Sequence, residues 1–174
     1  MTDRIFNVLF LCTGNSARSI MGESILRKDG AGRFNAFSAG SNPKPDVNPL
    51  ALKVLDSYGY PTEGLRSKNW GEFAGPGAPV MDFVFTVCAD AEAETCPLWP
   101  GQPITAHWGI DDPARVEGTE IEKECAFVQA FKYLRNRIGL FLALPLASID
   151  QLSLRQRLRD IGEEEGASRA AERA

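Results

Sequence analysis

A cysteine and an arginine six positions apart form the segment best suited to chemistry. Cys12 ends an apolar run and Arg18 opens a helical pattern. This order of strand, loop and helix predicts that the backbone N–H groups of residues 13–18 curve around a tetrahedral oxyanion. The positive end of the helix dipole and the planar guanidinium add to the attraction. We therefore expect Cys12 to be a nucleophile and Arg18 an anion ligand.

The same positive field predicts a thiolate. Electropositive helix N-termini lower the pKa of a cysteine from roughly 8.5 to roughly 3.5–7.5, so we expect Cys12 to be largely ionised at neutral pH. Gly14 and Asn15 tolerate a left-handed backbone in a tight loop, and Ser19 is expected to hydrogen-bond the sulfur. The predicted oxyanion-binding residues are Thr13, Gly14, Asn15, Ser16, Ala17, Arg18 and Ser19.

A pair of carboxylates follows a later apolar run. Asp111 and Asp112 precede Pro113, and a residue before proline is restricted to extended geometry. This restriction favours Asp112 as a general acid that protonates the oxygen leaving a tetrahedral centre. Asp111 is either a helper of Asp112 or a solvated residue. His107 is the single histidine, and its place in a strand predicts packing rather than catalysis.

Alternating strand and helix patterns predict how these residues come together. Strands are expected at residues 4–11, 34–39, 80–87 and 104–108, and helices at 19–28, 48–58, 120–144 and 149–161. The alternation is typical of an α/β fold with a doubly wound, four-stranded parallel sheet flanked by helices. Ligands of such sheets bind at the carboxyl ends of the strands. Cys12 and Cys88 both stand at such ends.

Length and charge restrict the function further. A chain of 174 residues predicts one main domain over residues 1–146 and a C-terminal extension over 147–174, with a helix as structural appendage and a frayed tail from residue 163. A net charge of −4 with both signs mixed predicts no nucleic-acid and no membrane partner. Neither a signal-peptide pattern nor an 18-residue apolar segment is present, so we expect a cytoplasmic protein.

Four cysteines stand at positions 12, 88, 96 and 125. Cytoplasmic thiols are kept reduced, so these are expected to be reactive or core residues rather than a disulfide framework. The chain lacks CxxC pairs and clustered histidines, and we predict no metal site. Cys88 and Cys96 either relay a disulfide outward from Cys12 by thiolate exchange or pack against the sheet. Cys125 is expected on the buried face of a long helix.

With these motifs, the chain resembles an arsenate reductase of the low-molecular-weight protein tyrosine phosphatase fold, of the type that passes electrons through three cysteines. The resemblance covers roughly residues 5–144. It rests on Phe-Leu-Cys-Thr-Gly-Asn-Ser-Ala-Arg-Ser at 10–19, Ser-Ala-Gly at 38–40, Thr-Val-Cys at 86–88 with Cys-Pro at 96–97, and His-Trp-Gly-Ile-Asp-Asp-Pro at 107–113.

The resemblance implies a reaction and a role for each site residue. Cys12 attacks arsenate, with phosphate or sulfate as competing oxyanions, while Arg18 and the loop amides bind the oxygens and Asp112 protonates the departing one. Cys88 then attacks Cys12, which releases arsenite, and Cys96 takes over the disulfide for thioredoxin or another thiol reductant. The implied function is arsenic detoxification in the cytoplasm without a cofactor.

Two positions depart from the family pattern. Ala17 stands where the family often has a further cysteine, and that thiol lies outside the relay. Some members bind potassium near the loop through Asn, Glu, Ser and Asp side chains. Asn15, Glu23 and Ser38 match these positions, whereas Lys68 stands at the aspartate position. The lysine ammonium replaces the charge of the ion, which predicts activity independent of potassium.

Two other functions fit the same loop. A low-molecular-weight protein tyrosine phosphatase uses the same nucleophile and acid but lets water, rather than Cys88, resolve the intermediate. Its usual aromatic residues after Asp-Pro are replaced here by Ala114 and Arg115, which disfavours phosphotyrosine. An oxyanion or arsenite sensor would use the three thiols as soft ligands, but no DNA-binding element accompanies them.

Overall fold

The computed structural model describes residues 4–88 and 99–168, with a four-stranded parallel sheet at the centre. The strands are β1 (Phe6–Cys12), β2 (Phe34–Gly40), β3 (Phe83–Thr86) and β4 (Ile104–His107). Their spatial order is β2-β1-β3-β4, and every neighbouring pair is parallel. The predicted fold class is confirmed, and all four strands end at the same edge of the sheet.

Four helices are present among the described residues: α1 (Arg18–Asp29), α2 (Pro49–Ser57), α3 (Glu120–Leu142) and α4 (Gln151–Gly162). Short 3-10 turns cover Trp70–Phe73 and Pro113–Arg115. Strand β3 differs most from its prediction at its start: it was predicted to begin at residue 80 and begins at Phe83. The apolar run starts before the residues that pair with the neighbouring strands. Within the described part of the chain, no helix is long and apolar enough to cross a bilayer.

The central strand β1 is buried on both faces. Val8 and Phe10 join the larger apolar cluster, to which all four helices contribute side chains, whereas Leu9 and Leu11 join a smaller cluster on the other face. Full burial of one such side chain contributes roughly 1.5–3 kcal/mol. This packing on two sides fixes the carboxyl end of β1, where the loop that follows Cys12 begins.

Cys125 is exposed, so the prediction of a core position is wrong. The buried face of α3 is set by Phe127, Phe131, Leu134 and Ile138. A residue two positions before Phe127 lies about 200° around the helix from it. Cys125 therefore faces away from the sheet, although apolar residues follow it closely along the chain.

The segment after α4 is ordered up to residue 168, so the predicted frayed tail is wrong for residues 163–168. Ala167 forms an antiparallel bridge with Ile110, and Ser168 N donates to Gly109 O at 2.9 Å. Backbone hydrogen bonds, rather than large apolar side chains, hold this segment. The prediction of disorder was wrong because it considered only the apolar side chains. Residues 169–174 lie outside the described residues.

Candidate active site

A cavity of about 290 Å³ opens at the carboxyl end of β1. Three of the predicted catalytic residues, Cys12, Arg18 and Asp112, line it together. The other lining residues are Thr13, Gly14, Ser16, Ala17, Asn42, Lys44, Ala114 and Arg115. The structure thus brings the predicted nucleophile, anion ligand and acid to one place from two distant parts of the chain.

The loop after β1 turns its carbonyl groups away from the cavity. The carbonyl oxygens of Thr13, Gly14 and Ser16 accept hydrogen bonds of 2.8–3.0 Å from backbone N–H groups of the segment 42–48. In a trans peptide the C=O and the following N–H point in opposite directions. The N–H groups that follow these three carbonyls therefore turn toward the cavity. There they can donate hydrogen bonds to an anion.

Helix α1 begins without a side-chain cap. Ala17 precedes it, and no side chain accepts a hydrogen bond at this N-terminus. The other three described helices begin with side-chain caps from Asn48, Thr119 and Asp150. The first N–H groups of α1, together with the positive end of its dipole, are therefore available to an anion.

Asn15 and Gly14 serve the loop in different ways. Asn15 has the predicted left-handed backbone, with φ of 42°, whereas Gly14 is not among the residues with positive φ. A Cβ at Gly14 would instead contact the alkyl chain of Lys44 at 3.4 Å. Asn15 Nδ2 donates to Ser19 Oγ at 2.8 Å, and Asn15 Oδ1 accepts from Lys68 N at 2.9 Å. The predicted contact of Ser19 with the Cys12 sulfur stays a prediction.

Strand β2 passes against the loop at Gly40. A Cβ at this position would lie 2.4 Å from Thr13 O and 2.7 Å from Cys12 O. Gly40 N also donates to Lys68 O at 3.0 Å. The glycine of the Ser-Ala-Gly segment is therefore required because the two backbones approach too closely for any side chain.

Arg18 is buried and held on one side. Its Nη1 donates to Ile110 O at 2.8 Å, and its Nη2 lies 3.5 Å from Asp112 Oδ2. Arg18 Nε is buried and has no hydrogen-bond partner among the described residues. Asp112 Oδ1 accepts from Ala114 N at 2.9 Å, which fixes its carboxylate at the mouth of the cavity. Sequence reasoning missed the Ile110 carbonyl, because a backbone acceptor has no side-chain signal.

Two cysteines lie at the carboxyl edge of the sheet, and Cys12 lines the cavity there. Cys12 ends β1, and Cys88 follows the neighbouring parallel strand β3, so both emerge at the same edge. Cys88 Sγ accepts from Thr13 N at 3.3 Å, and the Cys88 side chain is the neighbour with the largest effect on the pKa of Cys12. Cys96, the third predicted thiol of the relay, lies outside the described residues.

The pKa of Cys12 is raised above its ordinary value, which is the direction opposite to the prediction of a thiolate at neutral pH. The hydrogen bond with Cys88 raises the pKa most, and burial raises it further, whereas Arg18 and the Gly14 N–H lower it. The sequence argument counted only the positive groups of the loop and did not include a second thiol. Cys12 must lose its proton before it attacks a substrate.

Lys68 fills the position between Glu23 and Ser38. Its Nζ donates to Arg66 O at 2.8 Å and to Ser38 Oγ at 3.3 Å, and lies 3.6 Å from Glu23 Oε1. Burial lowers the pKa of Lys68, and the Glu23 carboxylate partly opposes this effect. An ammonium group thus contacts two of the side chains that the sequence resemblance had assigned to potassium binding.

Lys44 is a cavity residue that sequence reasoning missed, because it stands in a proline-rich loop without a recognised motif. Replacing Lys44 with methionine keeps the alkyl chain over Gly14 but removes the charge. We expect the Kd for inorganic phosphate, measured by titration calorimetry, to rise about threefold to tenfold, the effect of roughly 1 kcal/mol between solvated charges. Lys53→Met is the control, since Lys53 pairs with Glu124 on the surface. Equal phosphate affinity in both variants would contradict this role.

Comparisons with known proteins identify the family. Residues 7–149 match the family described as low molecular weight phosphotyrosine protein phosphatase, and the chain belongs to this family. Within it, the predicted resemblance to arsenate reductases is confirmed. The arsenate reductase of Bacillus licheniformis is 37% identical over 135 residues, which are 77% of this chain and 93% of that protein.

Solved structures agree with this assignment. A structure described as an arsenate reductase in the phosphate binding state is 26% identical, with a TM-score of 0.65 over 79% of this chain and 97% of that chain. The thioredoxin-dependent arsenate reductase of Corynebacterium glutamicum has a TM-score of 0.58 over 85% of this chain and 66% of that chain. At 20% identity, the second likeness shows the shared fold alone.

Proposed function

We propose that the protein reduces arsenate to arsenite in the cytoplasm, with Cys12 as nucleophile and Cys88 and Cys96 as the thiols that carry the oxidation outward. The observation that carries the proposal is the position of the Cys88 sulfur, which accepts a hydrogen bond at 3.3 Å from Thr13 N, one residue after Cys12 in the anion-binding loop. A phosphate-ester hydrolase needs no second thiol at this place. A reductase needs one that attacks the Cys12 sulfur.

The first step joins arsenate to Cys12. The loop N–H groups of residues 13–18 and the Arg18 guanidinium bind the arsenate oxygens and stabilise the charge that develops on them. Cys12 loses its proton to solvent and attacks arsenic(V) as the thiolate, and Asp112, protonated from solvent, donates a proton to the departing oxygen, which leaves as water. The 3.5 Å separation of Asp112 Oδ2 from Arg18 Nη2 supports this role, since it places the acid beside the bound oxygens.

The second step transfers electrons to arsenic. The Cys88 thiolate attacks the Cys12 sulfur, so that a sulfur–sulfur bond forms while the sulfur–arsenic bond breaks. The electron pair of the broken bond stays on arsenic, which leaves as arsenite, and Cys12 and Cys88 remain as a disulfide. Cys96 then attacks Cys88, which restores Cys12 and leaves a disulfide between Cys88 and Cys96. Thioredoxin or another thiol reductant returns that disulfide to two thiols.

A low-molecular-weight protein tyrosine phosphatase is the second candidate function. The family match favours it, and Cys12, Arg18 and Asp112 suffice for phosphate-ester hydrolysis. Against it, Ala114 and Arg115 line the mouth of the cavity, where an aryl ring would need an aromatic neighbour. A small inorganic oxyanion needs no such contact.

The test is NADPH oxidation by the wild-type protein with arsenate, thioredoxin and thioredoxin reductase. The proposal requires oxidation that depends on arsenate and on this protein, together with arsenite as a product. A glutathione and glutaredoxin system, assayed in parallel, identifies the preferred reductant. Hydrolysis of p-nitrophenyl phosphate without arsenate-dependent oxidation would assign the phosphatase function instead.

Potassium is expected to have little effect on this turnover. The Lys68 ammonium already contacts Glu23 and Ser38. A potassium ion would have to displace this ammonium group before it could bind to the folded protein. Replacing choline chloride with potassium chloride at equal ionic strength should change kcat/KM by less than about twofold. A saturable stimulation by potassium, absent with sodium, would show that the ammonium does not replace the ion.

A further inference from the structure

The last described residues run alongside the segment that carries the predicted acid. Ala167 pairs with Ile110, and Ser168 N donates to Gly109 O at 2.9 Å. We call residues 163–168 the C-terminal strap. Asp112 stands only two positions after Ile110, so the strap holds the chain directly before the carboxylate.

A buried arginine anchors the strap on α3. Arg137 is fully buried, and its guanidinium donates to Glu164 O at 3.1 Å and to Glu165 O at 3.3 Å. It also donates to Tyr133 O at 3.2 Å, within α3. Burial of a guanidinium costs free energy unless its hydrogen bonds are made. Two of these acceptors are backbone carbonyl groups of the strap, so the Arg137 guanidinium links the strap to α3.

The strap lies against α3 at Gly166. This glycine has φ of +93°, and a Cβ would lie 2.3 Å from the Tyr133 ring. Helix α4 adds a second anchor, because Trp108 Nε1 donates to Leu158 O at 2.9 Å, on the chain just before Gly109. The C-terminal extension thus holds the residues before Asp112 from two points.

The opposite side of the same segment contacts Arg18. The Ile110 carbonyl accepts from Arg18 Nη1 at 2.8 Å, and Ile110 N donates to Val87 O at 3.2 Å. Ile110 is therefore held between the Arg18 guanidinium and the strap, and Gly109 before it is bonded to the strap. We propose that the C-terminal strap is a positioning element for Asp112, and that Arg137 and Gly166 are its positioning residues.

The proposal rests on the proposed function in one respect, the role of Asp112 as the acid. A catalytic group must be held within about 0.5 Å of its productive position, and a 1 Å displacement costs up to about 100-fold in rate. A strap that ends two residues before the acid sets its position without touching the substrate. The residues predicted as a frayed tail therefore acquire a part in the reaction.

Gly166→Ala tests the strap, since the added methyl group displaces it from the Tyr133 ring. We expect kcat for arsenate to fall about tenfold, while the Kd for inorganic phosphate stays within about twofold, because the loop amides that bind the anion do not contact the strap. Gly32→Ala is the matched control, since Gly32 has φ of +84° and open space around its Cα. The control experiences the same backbone strain and should leave kcat unchanged.

A double-mutant cycle separates positioning from general stability. In an Asp112→Asn background, Gly166→Ala should lower the residual kcat by less than about twofold, because the two changes act on the same group. Equal tenfold losses in both backgrounds would overturn the proposal. If Gly166→Ala does not fold, Arg137→Lys replaces it, since lysine keeps the charge but loses the planar fork that reaches two carbonyls.

Hydrogen exchange distinguishes a failure of this proposal from a failure of the proposed function. Deuterium uptake of the peptide that contains residues 109–112 should rise about tenfold in rate in Gly166→Ala and stay unchanged in Gly32→Ala. If the wild type shows no arsenate turnover, the reductase assignment fails, and the strap is judged on this exchange and on p-nitrophenyl phosphate hydrolysis. Unchanged exchange in Gly166→Ala would overturn the strap as a positioning element.

Discussion

Replacing Cys88 with serine is expected to abolish repeated turnover of arsenate while leaving arsenate binding intact. The serine hydroxyl fills nearly the same volume and still accepts from Thr13 N, the bond that Cys88 Sγ makes at 3.3 Å. It does not attack the Cys12 sulfur, so no disulfide forms and arsenite is not released. Arsenate-dependent NADPH oxidation should fall by at least about 1,000-fold, the scale seen when a nucleophile is removed.

Cys125→Ser is the matched control for this substitution. Cys125 is an exposed thiol on α3, so its loss should leave turnover within experimental error of the wild type. Hydrolysis of p-nitrophenyl phosphate provides a second readout, because a phosphatase step needs Cys12 but not Cys88. Arsenate-dependent NADPH oxidation that survives in Cys88→Ser would contradict the relay and show that another thiol, on Cys96 or on the reductant, attacks the Cys12 sulfur.

Arg18→Lys is expected to lower kcat/KM for arsenate by about 100-fold to 1,000-fold, the loss typical of removing one donor to a developing oxyanion. Lysine retains the positive charge but loses the planar fork that binds two oxygens at once. It also loses the pair of contacts through which Nη1 binds Ile110 O and Nη2 faces Asp112. The change thus affects both the anion and the segment that carries the acid.

Phosphate titration and steady-state kinetics together check this result. The Kd for phosphate should rise in Arg18→Lys, and the thermal midpoint should fall because a buried guanidinium is replaced. Arg159→Lys serves as the control, since Arg159 lies on the exposed face of α4 and bonds only Gln156 among the described hydrogen bonds. A kcat/KM within tenfold of the wild type would show that charge alone, without the fork, binds the oxyanion.

Sequence patterns predicted the architecture because the sheet strands are continuous apolar runs. Such runs in β1 and β3 indicate burial on both faces, which is typical of parallel sheets. The same reasoning placed Cys12 and Cys88 at one edge, and the structure pairs the strands that lead to them in parallel. Asp112 was predicted from its place before proline, and its carboxylate indeed lies beside Arg18.

Other features of the site depend on contacts that no local pattern records. The raised pKa of Cys12 comes first from Cys88, far along the chain. The acceptor for Arg18 is a backbone carbonyl, and the strap is held by backbone bonds and one buried arginine. The error at Cys125 has a different cause, since the predicted apolar positions such as Phe127 and Phe131 are buried, whereas Cys125 lies about 200° around the helix from Phe127.

The close approach of two backbones at Gly40 sets how the site tolerates mutation. A methyl group there would meet Thr13 O at 2.4 Å, so any substitution distorts the loop that binds the anion. Asn42, Lys44, Ala114 and Arg115 line the same cavity with side chains at its mouth. Libraries that seek altered oxyanion selectivity will therefore recover functional variants at these four positions, while position 40 stays glycine in every active clone.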